Sequence, residues 1–418
     1  MAKKVLLSIN AGSSSVKISA YTATQGQTPT KLAEVSVSGL TAPPTQLTYI
    51  RGDETVAKGQ KVSDKAETQD EAFKIVLKTL TDDSSLPEIS QKSDIGIACH
   101  RIVHGGDYTS SKIITRDTYH HLEELTDLAP LHNASALQIV KSCIDELPDA
   151  VNVACFDSQF HASIPEHIRT YPIDPEVARK KQLRKYGFHG ISYSFIARSV
   201  ADSLGKDQGD LNIIALHLGS GASACAIKGG KSLDNSMGLT PVAGLPGATR
   251  SGSVDPSLVF HYTSEAAKLS HSSTKDLHIS RAEEILNKES GWKALTGTTN
   301  FGEITSDLEN PKYKLAFDVF VNRILSYVGS YYVALGGKVD ALVFAGGIGE
   351  KSDVLRSAVV AQASCLGFEI DGAANTKEIK NIVQDIGKKD ARHRTLVCLT
   401  DEQFEMARTC AEDDQLWK

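Results

Sequence analysis

The sequence lacks the features that would place the protein at a membrane, on nucleic acid or in an oxidising compartment. The formal net charge of the 418 residues is -6 and no basic run occurs, which argues against nucleic acid or an anionic membrane as a partner. No apolar run is long enough to span a bilayer. The 7 cysteines form an odd set without a Cys-x-x-Cys pair, which disfavours a disulfide framework. We therefore expect reduced thiols, a cytoplasmic location and no signal peptide ahead of the first strand-like run.

The remaining composition is that of a globular protein of two or three domains. Hydrophobic residues make up 41% of the chain and charged residues 23%, and the length exceeds that of a single typical domain. No low-complexity linker divides the chain. The domain boundary must therefore fall inside folded structure, and we expect it near Asp157.

Short apolar runs alternate with helical patterns along most of the chain, which favours an α/β architecture with mainly parallel sheets. The predicted strands are Val5–Ile9, Ile95–Cys99, Val151–Phe156, Ile213–Leu218, Ala341–Ala345 and Leu396–Leu399. The predicted helices are Glu71–Leu80, Ala134–Leu147, Phe195–Leu204, Leu315–Leu335, Val354–Ala363 and Gln403–Cys410. The segment Val35–Val62 is rich in Ser, Thr and Val, and predicts short antiparallel strands.

One segment of the chain resembles another. Leu6–Ser15 and Ile214–Ser223 each consist of an apolar strand followed by a Gly/Ser turn, and a further strand-like run follows each. A duplicated unit of this kind suggests two related domains. Coincidence between two ordinary hairpins explains the pair equally well.

Three glycine-rich segments have the composition of phosphate-contacting loops, because glycine permits a close backbone approach and serine adds donors. They are Asn10–Ser15, Gly219–Ser223 and Ala345–Glu350. None is a P-loop, and a strand follows Gly219–Ser223 where a dinucleotide fingerprint requires a helix. Ala345–Glu350 follows a strand and precedes a helix that opens at Ser352, which favours contact with a nucleotide.

Charged side chains follow several predicted strands, at the sheet edge where ligands bind in open α/β folds. Arg101, Asp157 and Glu402 occupy such positions, and Arg250 lies in a loop. Phosphoryl transfer needs cations around the phosphoryl oxygens and one or two carboxylates that hold Mg²⁺. The two arginines can supply the cations, and Asp157 and Glu402 the carboxylates.

Each candidate also has a purely structural interpretation. An arginine after a strand commonly forms a surface ion pair. His132 could belong to a capping turn with Asn133 as N-cap, and His189 could be a buried, hydrogen-bonded imidazole. Glu402 could be an acidic residue in the first turn of the last helix. One residue at a time, these interpretations are the better ones.

Taken together, however, the motifs resemble those of the acetate kinase family, within the superfamily of sugar kinases, actin and heat-shock chaperones. In chain order they are SINAGSSSVK from Ser8, HRIVHGG from His100, APLHN from Ala129, FDSQFH from Phe156, YGFHG from Tyr186, HLGSGAS from His217, TRSGSVDP from Thr249, AGGIGE from Ala345 and TDE from Thr400. The resemblance covers nearly the whole chain. It implies two facing domains of duplicated βββαβαβα topology, of the ribonuclease H-like, actin-like ATPase type. The N-terminal domain would comprise residues 1–157 and 403–418, and the C-terminal nucleotide-binding domain residues 158–402.

The resemblance also implies site residues. The catalytic residues are Arg101, His132, Asp157, His189 and Arg250, of which the two arginines would hold the transferring phosphoryl group and His189 its transition state. The metal contacts are Asn10, Asp157 and Glu402. The pocket for the acetate methyl group is lined by Val103, Leu131, Phe188 and Pro241. The phosphate and nucleotide contacts are Asn10, Ser13, Ser15, Lys17, His217, Gly219, Ser220, Gly221, Gly346, Gly347, Ile348, Gly349 and Lys351.

The sequence departs from the family pattern at a few positions on the nucleotide side. Ser220 and Lys351 each stand where the family usually has Asn, and Ala248 replaces a usual glycine. These departures leave acetate chemistry better supported than the identity of the phosphoryl donor.

The expected reaction is phosphoryl transfer between ATP and acetate, with ADP and acetyl phosphate as products and Mg²⁺ or Mn²⁺ as cofactor. We expect direct in-line transfer between the two domains, without a covalent enzyme intermediate. The alternatives are a kinase for propionate or butyrate, an acetate kinase that uses pyrophosphate, and an ATP-dependent chaperone-like binding module. The last is disfavoured because no substrate-binding domain follows the final helix. A homodimer is expected from the resemblance, with neither nucleic acid nor a membrane as partner.

Overall fold

The structure is a computed structural model that describes residues 3–12, 14–40, 44–62, 66–125, 130–262, 268–270, 273 and 279–417, with only the backbone described at 130–132 and 262. The chain forms two compact units. Unit 1 comprises Met1–Gln159 and Asp401–Lys418, and unit 2 comprises Phe160–Thr400. Glu402 therefore belongs to unit 1.

Unit 1 is built on one mixed sheet, which has eight strands among the described residues. The strands are β1 Lys3–Ala11, β2 Ser15–Thr24, β3 Thr30–Ser38, β4 Gln46–Arg51, β5 Glu54–Lys61, β6 Ile95–Ile102, β7 Lys112–Ile113 and β8 Val151–Phe156. Their order across the sheet is β5-β4-β3-β2-β1-β6-β8-β7. The antiparallel strands expected within Val35–Val62 are confirmed as parts of β3, β4 and β5.

Unit 2 contains a second mixed sheet, with six strands among the described residues. The strands are β9 Asn212–Leu218, β10 Ala222–Lys228, β11 Lys231–Asn235, β12 Ala341–Ala345, β13 Val383–Asp385 and β14 Arg394–Cys398. Their order is β11-β10-β9-β12-β14-β13.

The two sheets share one arrangement of their central strands. In unit 1 the central order is β3-β2-β1-β6-β8, and β6 and β8 run parallel to β1. In unit 2 it is β11-β10-β9-β12-β14, and β12 and β14 run parallel to β9. The internal similarity between β1–β2 and β9–β10 is therefore a real duplication. The expectation of mainly parallel sheets was wrong, because strands joined by short hairpins must run antiparallel.

The helices of unit 1 are α1 Gln69–Thr81, α2 Arg116–Leu125, α3 Pro130–Glu146 and α15 Glu402–Glu412. Those of unit 2 are α4 Glu166–Arg169, α5 Pro175–Lys180, α6 Gly190–Leu204, α7 Leu258–Tyr262, α8 Arg281–Lys288, α9 Gly291–Thr296, α10 Phe301–Ser306, α11 Pro311–Ala334, α12 Gly346–Lys351, α13 Asp353–Gln362 and α14 Gly372–Asn375. Short 3₁₀ turns occur at Lys92–Asp94, Gln159–Ser163, Gln208–Asp210, Ser364–Leu366 and Asp414–Trp417. No helix among the described residues has both the length and the apolar composition needed to cross a membrane.

Helix α11 forms the centre of the unit 2 core. Its buried face carries Phe317, Phe320, Ile324 and Val328, which pack with the apolar residues of β9, β10 and β12. The N-cap Asn310 accepts a hydrogen bond from the N–H of Lys312 at 3.0 Å, which begins the helix. Each fully buried apolar side chain contributes roughly 1.5–3 kcal/mol to folding, so the core holds the strand ends in fixed positions.

Candidate functional site

The first candidate site lies at the carboxyl ends of β6 and β8, which are neighbouring parallel strands. Arg101 lies near the end of β6 and Asp157 directly follows β8, so the sheet places their side chains next to each other. The Asp157 carboxylate accepts two hydrogen bonds from Arg101, from Nε at 3.0 Å and from Nη2 at 2.7 Å. This two-point contact fixes the plane of the guanidinium group.

Two further side chains bring oxygen atoms to the Arg101 guanidinium. The Oδ1 of Asn10, near the end of β1, lies 3.4 Å from Nη1, and the Oε2 of Glu402, in the first turn of α15, lies 3.8 Å from Nη1. Burial works against the guanidinium charge, but the carboxylates of Asp157 and Glu402 outweigh it and raise the pKa of Arg101 above its usual range. We call Asn10, Arg101, Asp157 and Glu402 the arginine cluster.

The first glycine-rich segment forms the turn between β1 and β2. Ser15 is half-buried at the start of β2, and Ser13 lies outside the described residues. Lys17 is exposed, and its ammonium group pairs with Glu34 on β3 at 2.9 Å. From the described part of this segment, the side chain of Asn10 contacts Arg101.

Hydrogen bonds between the side chain of Asn133 and the backbone of His104 join the HRIVHGG and APLHN motifs. The side-chain amide of Asn133 donates to the carbonyl of His104, and its oxygen accepts from the His104 N–H, both at 3.0 Å. Asn133 is therefore not the N-cap of α3, which begins at Pro130, because its side chain is used to hold His104. The side chain of His132 lies outside the described residues.

The second candidate site, in unit 2, is built around His189, the residue before α6. His189 has the left-handed backbone conformation, with φ of 59°, which residues other than glycine seldom adopt without a functional or packing reason. Its Nδ1 lies 2.8 Å from the Oγ of Ser223 on β10. Its ring packs on the ring of His217 in β9, with centroids 4.2 Å apart. His189 is thus a buried imidazole held from two sides.

Arg250 and His189 both lie against Gly221. A Cβ atom at Gly221 would lie 2.9 Å from Nη1 of Arg250 and 3.7 Å from Nε2 of His189. The first distance is shorter than real Cβ contacts, so a side chain at this position would displace the end of Arg250. The second glycine-rich segment therefore forms one surface shared by a guanidinium and an imidazole.

A cleft of about 500 Å³ in unit 2 connects the second and third glycine-rich segments. Its lining residues are Gly219, Ser220, Thr299, Asn300, Phe301, Gly302, Thr305, Gly347, Ile348, Lys351, Ser352 and Asp353. The volume falls within the usual range for small-molecule and cofactor sites. The lining combines backbone and hydroxyl groups with one cation, Lys351, and one carboxylate, Asp353.

The third glycine-rich segment differs from its prediction. It was expected to be a loop before a helix, but it is itself the helix α12, which begins at Gly346. Gly346 has φ of 74°, and a Cβ there would lie 2.8 Å from the carbonyl oxygen of Leu218, so only glycine fits. Ser352 does open the next helix, as predicted, because its Oγ accepts from the N–H of Leu355 at 3.2 Å.

The sequence interpretation missed one wall of this cleft and one buried side chain that supports α12. The first is the wall made by residues 299–302 and 305, which carry no charge or repeat that marks them as a site. The second is Arg356, a buried side chain of α13 that donates to the carbonyls of Gly349 at 2.9 Å and Glu350 at 2.8 Å. Arg356 thereby holds the end of α12 that carries Lys351. An arginine inside an apolar helix was the available signal for it.

The four residues expected to contact the methyl group are divided between the units. Val103 is half-buried just beyond β6, and the side chain of Leu131 lies outside the described residues. In unit 2, Phe188 and Pro241 are buried, and the carbonyl of Phe188 accepts from Nε2 of His161 at 2.9 Å. Their role toward an acyl group stays a prediction.

Comparison with known proteins identifies the family. A sequence model of the Acetokinase family matches residues 5–408. A probable acetate kinase of Neurospora crassa is 63% identical, over 100% of this chain and 95% of that protein. Crystal structures of a Porphyromonas gingivalis acetate kinase (32% identity, TM-score 0.81) and a Francisella tularensis propionate kinase (30% identity, TM-score 0.84) each cover 97% of this chain, which covers 98% of each of them. The fold class inferred from the resemblance is confirmed, and the chain belongs to the acetokinase family.

Proposed function

We propose that this protein reversibly transfers the γ-phosphoryl group of ATP to acetate, with ADP and acetyl phosphate as products. The observation that carries the proposal is the arginine cluster, found in a chain of the acetokinase family. A carboxylate acceptor is already ionised at neutral pH, so the reaction needs no general base. It needs a fixed cation for the phosphoryl oxygens, and Arg101 has that character.

The contacts of Arg101 support this role. Asp157 accepts from Nε and from one N–H of Nη2, and Asn10 accepts from one N–H of Nη1. The second N–H of each terminal nitrogen lies outside these hydrogen bonds and could donate to phosphoryl oxygens. The side chain is 20% exposed, so a substrate can reach it. Because Asp157 sets the guanidinium plane before substrate binds, little reorganisation is needed as charge develops in the transition state.

We assign the nucleotide to the cleft of unit 2. Gly219 and Gly347 present backbone to the cleft, which suits phosphate groups, and ATP is the co-substrate of the acetokinase family. His189 and Arg250, which share the surface of Gly221, would add N–H donors for the phosphates of the nucleotide. The nucleotide would bind with no covalent bond to the enzyme.

Magnesium is the metal that the donor set of the arginine cluster fits. Among the described residues, no group of three or more His, Cys, Asp and Glu side chains is arranged to hold a metal ion alone. Mg²⁺ does not require such a group, because it commonly binds through one or two carboxylates plus phosphates and waters. Glu402 and Asn10 would reach the ion, while Asp157 is occupied by Arg101. When bound, the ion would neutralise charge on the nucleotide phosphates.

The magnesium assignment is tested with Asp157→Asn and Glu402→Gln. We expect Glu402→Gln to raise the Mg²⁺ concentration needed for half-maximal rate, by about 10-fold or more. Asp157→Asn should lower the maximal rate at every Mg²⁺ concentration, because Arg101 loses one of its two fixed contacts. An unchanged half-maximal Mg²⁺ concentration in Glu402→Gln, together with an unchanged maximal rate in Asp157→Asn, would mean that these carboxylates are structural.

The reaction itself is tested by trapping the product. Acetyl phosphate reacts with hydroxylamine to give a coloured hydroxamate, so its formation from acetate can be compared with ATP and with pyrophosphate as donors. We expect product with ATP and acetate. Acetyl phosphate formed with pyrophosphate but not with ATP would reject ATP as the phosphoryl donor. ATP hydrolysis without any acyl phosphate would favour a binding module.

Propionate is a second candidate substrate. The observation in its favour is the likeness to the propionate kinase of Francisella tularensis, at 30% identity over 97% of this chain. The same assay run with propionate and butyrate decides between them. A specificity constant kcat/KM larger for propionate than for acetate would replace acetate in the proposal.

A homodimer and a cytoplasmic location remain predictions. All 7 cysteines are free thiols, which is compatible with a reducing compartment. Light scattering of the purified chain would give its mass in solution.

A further inference from the structure

Behind His189 lies a short chain of buried polar groups that the proposed reaction does not use. Its members are Ser223 on β10 and Tyr193 on α6, both buried. The Oγ of Ser223 lies 2.8 Å from Nδ1 of His189 and 2.6 Å from the hydroxyl of Tyr193. The Tyr193 oxygen in turn accepts a hydrogen bond from the backbone N–H of His217. Four residues thus form one continuous line from β9 to the imidazole.

The direction of each hydrogen bond follows from counting protons. The His217 N–H can only donate, so it uses one lone pair of the Tyr193 oxygen. Burial raises the pKa of Tyr193 well above its usual range, so its hydroxyl keeps its proton. That proton needs an acceptor, and the Ser223 Oγ is the one at hydrogen-bond distance. Ser223 then has a single proton to donate, and Nδ1 of His189 is its remaining partner.

We infer that Ser223 and Tyr193 are positioning residues that hold His189 as one neutral tautomer, with Nδ1 accepting and the proton on Nε2. The inference rests on the proposed function only for the use of that proton. Nε2 of His189 and Nη1 of Arg250 both lie against Gly221, so the tautomer directs an N–H donor to the surface that the arginine also faces. An anionic phosphoryl oxygen there would meet two donors. The opposite tautomer would present a lone pair to that oxygen and repel it.

The surrounding structure holds the ring as well as its proton. The His217 ring packs on it with centroids 4.2 Å apart, and the Nδ1 of His217 is itself bonded to Ser192 at 2.7 Å. His189 combines the left-handed backbone conformation with a side-chain contact to Ser223 on β10. A strained residue held by this many contacts is over-determined in the way expected of a preorganised site.

The tautomer is measured directly, without reference to activity. Protein labelled with ¹⁵N-histidine is studied by long-range ¹H–¹⁵N correlation at neutral pH, and the His189 signals are assigned by their loss in His189→Asn. Asparagine is the suitable replacement because it tolerates the left-handed backbone better than most residues. We expect an unprotonated signal for Nδ1 and a protonated one for Nε2. A proton on Nδ1 in the wild-type protein would overturn the inference.

The contribution to turnover is measured with Ser223→Ala and Tyr193→Phe. We expect Ser223→Ala to lower kcat about 10-fold or more with a smaller change in the KM for acetate, and to give mixed tautomers. Tyr193→Phe should have the same effects to a smaller degree, because Ser223 is then free to turn. Ser223→Thr keeps the hydroxyl and should restore the tautomer. If the Ser223 variants do not fold, the Tyr193→Phe spectrum decides, and an unchanged tautomer there overturns the inference.

A double-mutant cycle separates positioning from a general loss of structure. If Ser223 acts through His189, Ser223→Ala should lower kcat little further in the His189→Asn background. An equal fold-loss in both backgrounds would make Ser223 a structural residue. Ser142→Ala is the matched control, since it removes another buried serine hydroxyl, bonded to the Gln138 carbonyl at 3.1 Å on α3. It should lower stability slightly and leave kcat unchanged. Should no acid be phosphorylated at all, the proposed function fails while the tautomer measurement still stands.

Discussion

The two units share the arrangement of their central strands but carry different chemistry at the strand ends. In unit 1 the polar or charged residues Asn10, Arg101 and Asp157 lie at the carboxyl ends of β1, β6 and β8, within one residue of each strand's last residue. In unit 2 the corresponding strands β9 and β12 lead into glycine-rich segments, of which Gly219 and Gly347 line the cleft. One duplicated frame thus offers a fixed cation in one copy and an open cleft in the other. The frame sets where groups lie, and the residues at its edge set what those groups can bind.

The largest expected effect is loss of turnover when Arg101 is removed. Arg101→Ala should lower kcat by on the order of 10³-fold, by analogy with arginines that stabilise phosphoryl transfer. Arg101→Lys should recover little, because an ammonium group cannot make the two-point contact with Asp157. Arg51→Ala is the control: Arg51 also contacts an aspartate twice, Asp83 at 2.7 and 2.9 Å, and is 23% exposed against 20% for Arg101. Arg51→Ala should leave kcat unchanged.

Arg250→Ala is the same experiment on unit 2. Its kcat should also fall by on the order of 10³-fold, because Arg250 would supply a cation to the phosphoryl oxygens of the nucleotide. Steady-state rates at saturating acetate and ATP measure both losses. Turnover within threefold of wild type in either variant would remove that arginine from the mechanism and leave the corresponding unit a binding role only.

Acid should lower the folding stability of the two units by similar amounts, although their functional residues differ. Burial lowers the pKa of His100 in unit 1 and of His161 in unit 2 to about 4, so both rings are neutral in the folded protein. In the unfolded chain each has a pKa of about 6.5, so their stabilising effect is complete above that pH and is lost as pH falls toward 4. Between pH 7 and pH 5 the free energy of unfolding should fall by roughly 2 kcal/mol for each histidine.

Urea unfolding as a function of pH measures this loss. His161→Gln and His100→Gln should each make the pH dependence shallower, even though both lower stability at pH 7. His120→Gln is the control, because the His120 side chain is 60% exposed. A slope that neither buried variant changes would show that other groups cause the acid instability.

A smaller effect is expected on the choice of acid. Val103→Ala removes two methyl groups from a residue two positions after Arg101 and should make room for propionate. One methylene in such a pocket changes discrimination by roughly 1–3 kcal/mol, so the propionate-to-acetate ratio of kcat/KM should rise by about 10-fold. Turnover should fall less than the KM for acetate rises, because the phosphoryl-contacting groups are intact.

The alternative for Val103 is a role in packing only. In that case Val103→Ala would lower the melting temperature and affect both acids equally. Ile102→Val is a suitable comparison, since it makes a cavity at the neighbouring, fully buried position of β6. An unchanged acid ratio together with a lower melting temperature would take Val103 out of the pocket.

The smallest effect concerns the nucleotide base. Lys351 lines the cleft of unit 2, and its ammonium group cannot supply the paired donor and acceptor of an amide. We expect kcat/KM for ATP and GTP to differ by less than about 10-fold, and Lys351→Asn to increase the preference. An ATP preference of more than 100-fold in the wild-type protein would contradict this.

The accuracy of the predicted strands and helices depended on the sequence pattern that marked each of them. Strands β8 and β12 agree with their predictions to the residue, because each is a continuous apolar run bounded by polar or glycine residues. The short helices α4, α5, α8, α9 and α10 were not predicted, since a helix of 4–8 residues has too few turns to show a period. Helix α12 was missed because glycines are poor helix formers, and tertiary contact with Leu218 requires one at its start.

The sites were predicted less evenly than the fold. The positions of charged residues at strand ends predicted part of the arginine cluster, because parallel strands bring their carboxyl ends together. The partner of Arg101 and the contact of Asn133 with His104 could not be predicted, since they depend on side-chain directions. The pairing of His189 with Ser223 joins residues 34 apart in sequence, and no local pattern encodes it.

Helix α15 gives unit 1 a particular place in the order of folding. The side chain of Gln403 donates to the carbonyls of Ser8 and Lys17 and accepts from Ser19, although Ser8 lies 395 positions earlier. On the ribosome, all of unit 2 is synthesised before α15. The strands of unit 1, although synthesised first, can therefore complete their contacts with α15 only after unit 2 has been made. A chain ended at Thr400 should therefore keep unit 2 resistant to protease and leave unit 1 open to cleavage. Equal resistance of both units in that chain would show that β1 and β2 do not depend on the helix.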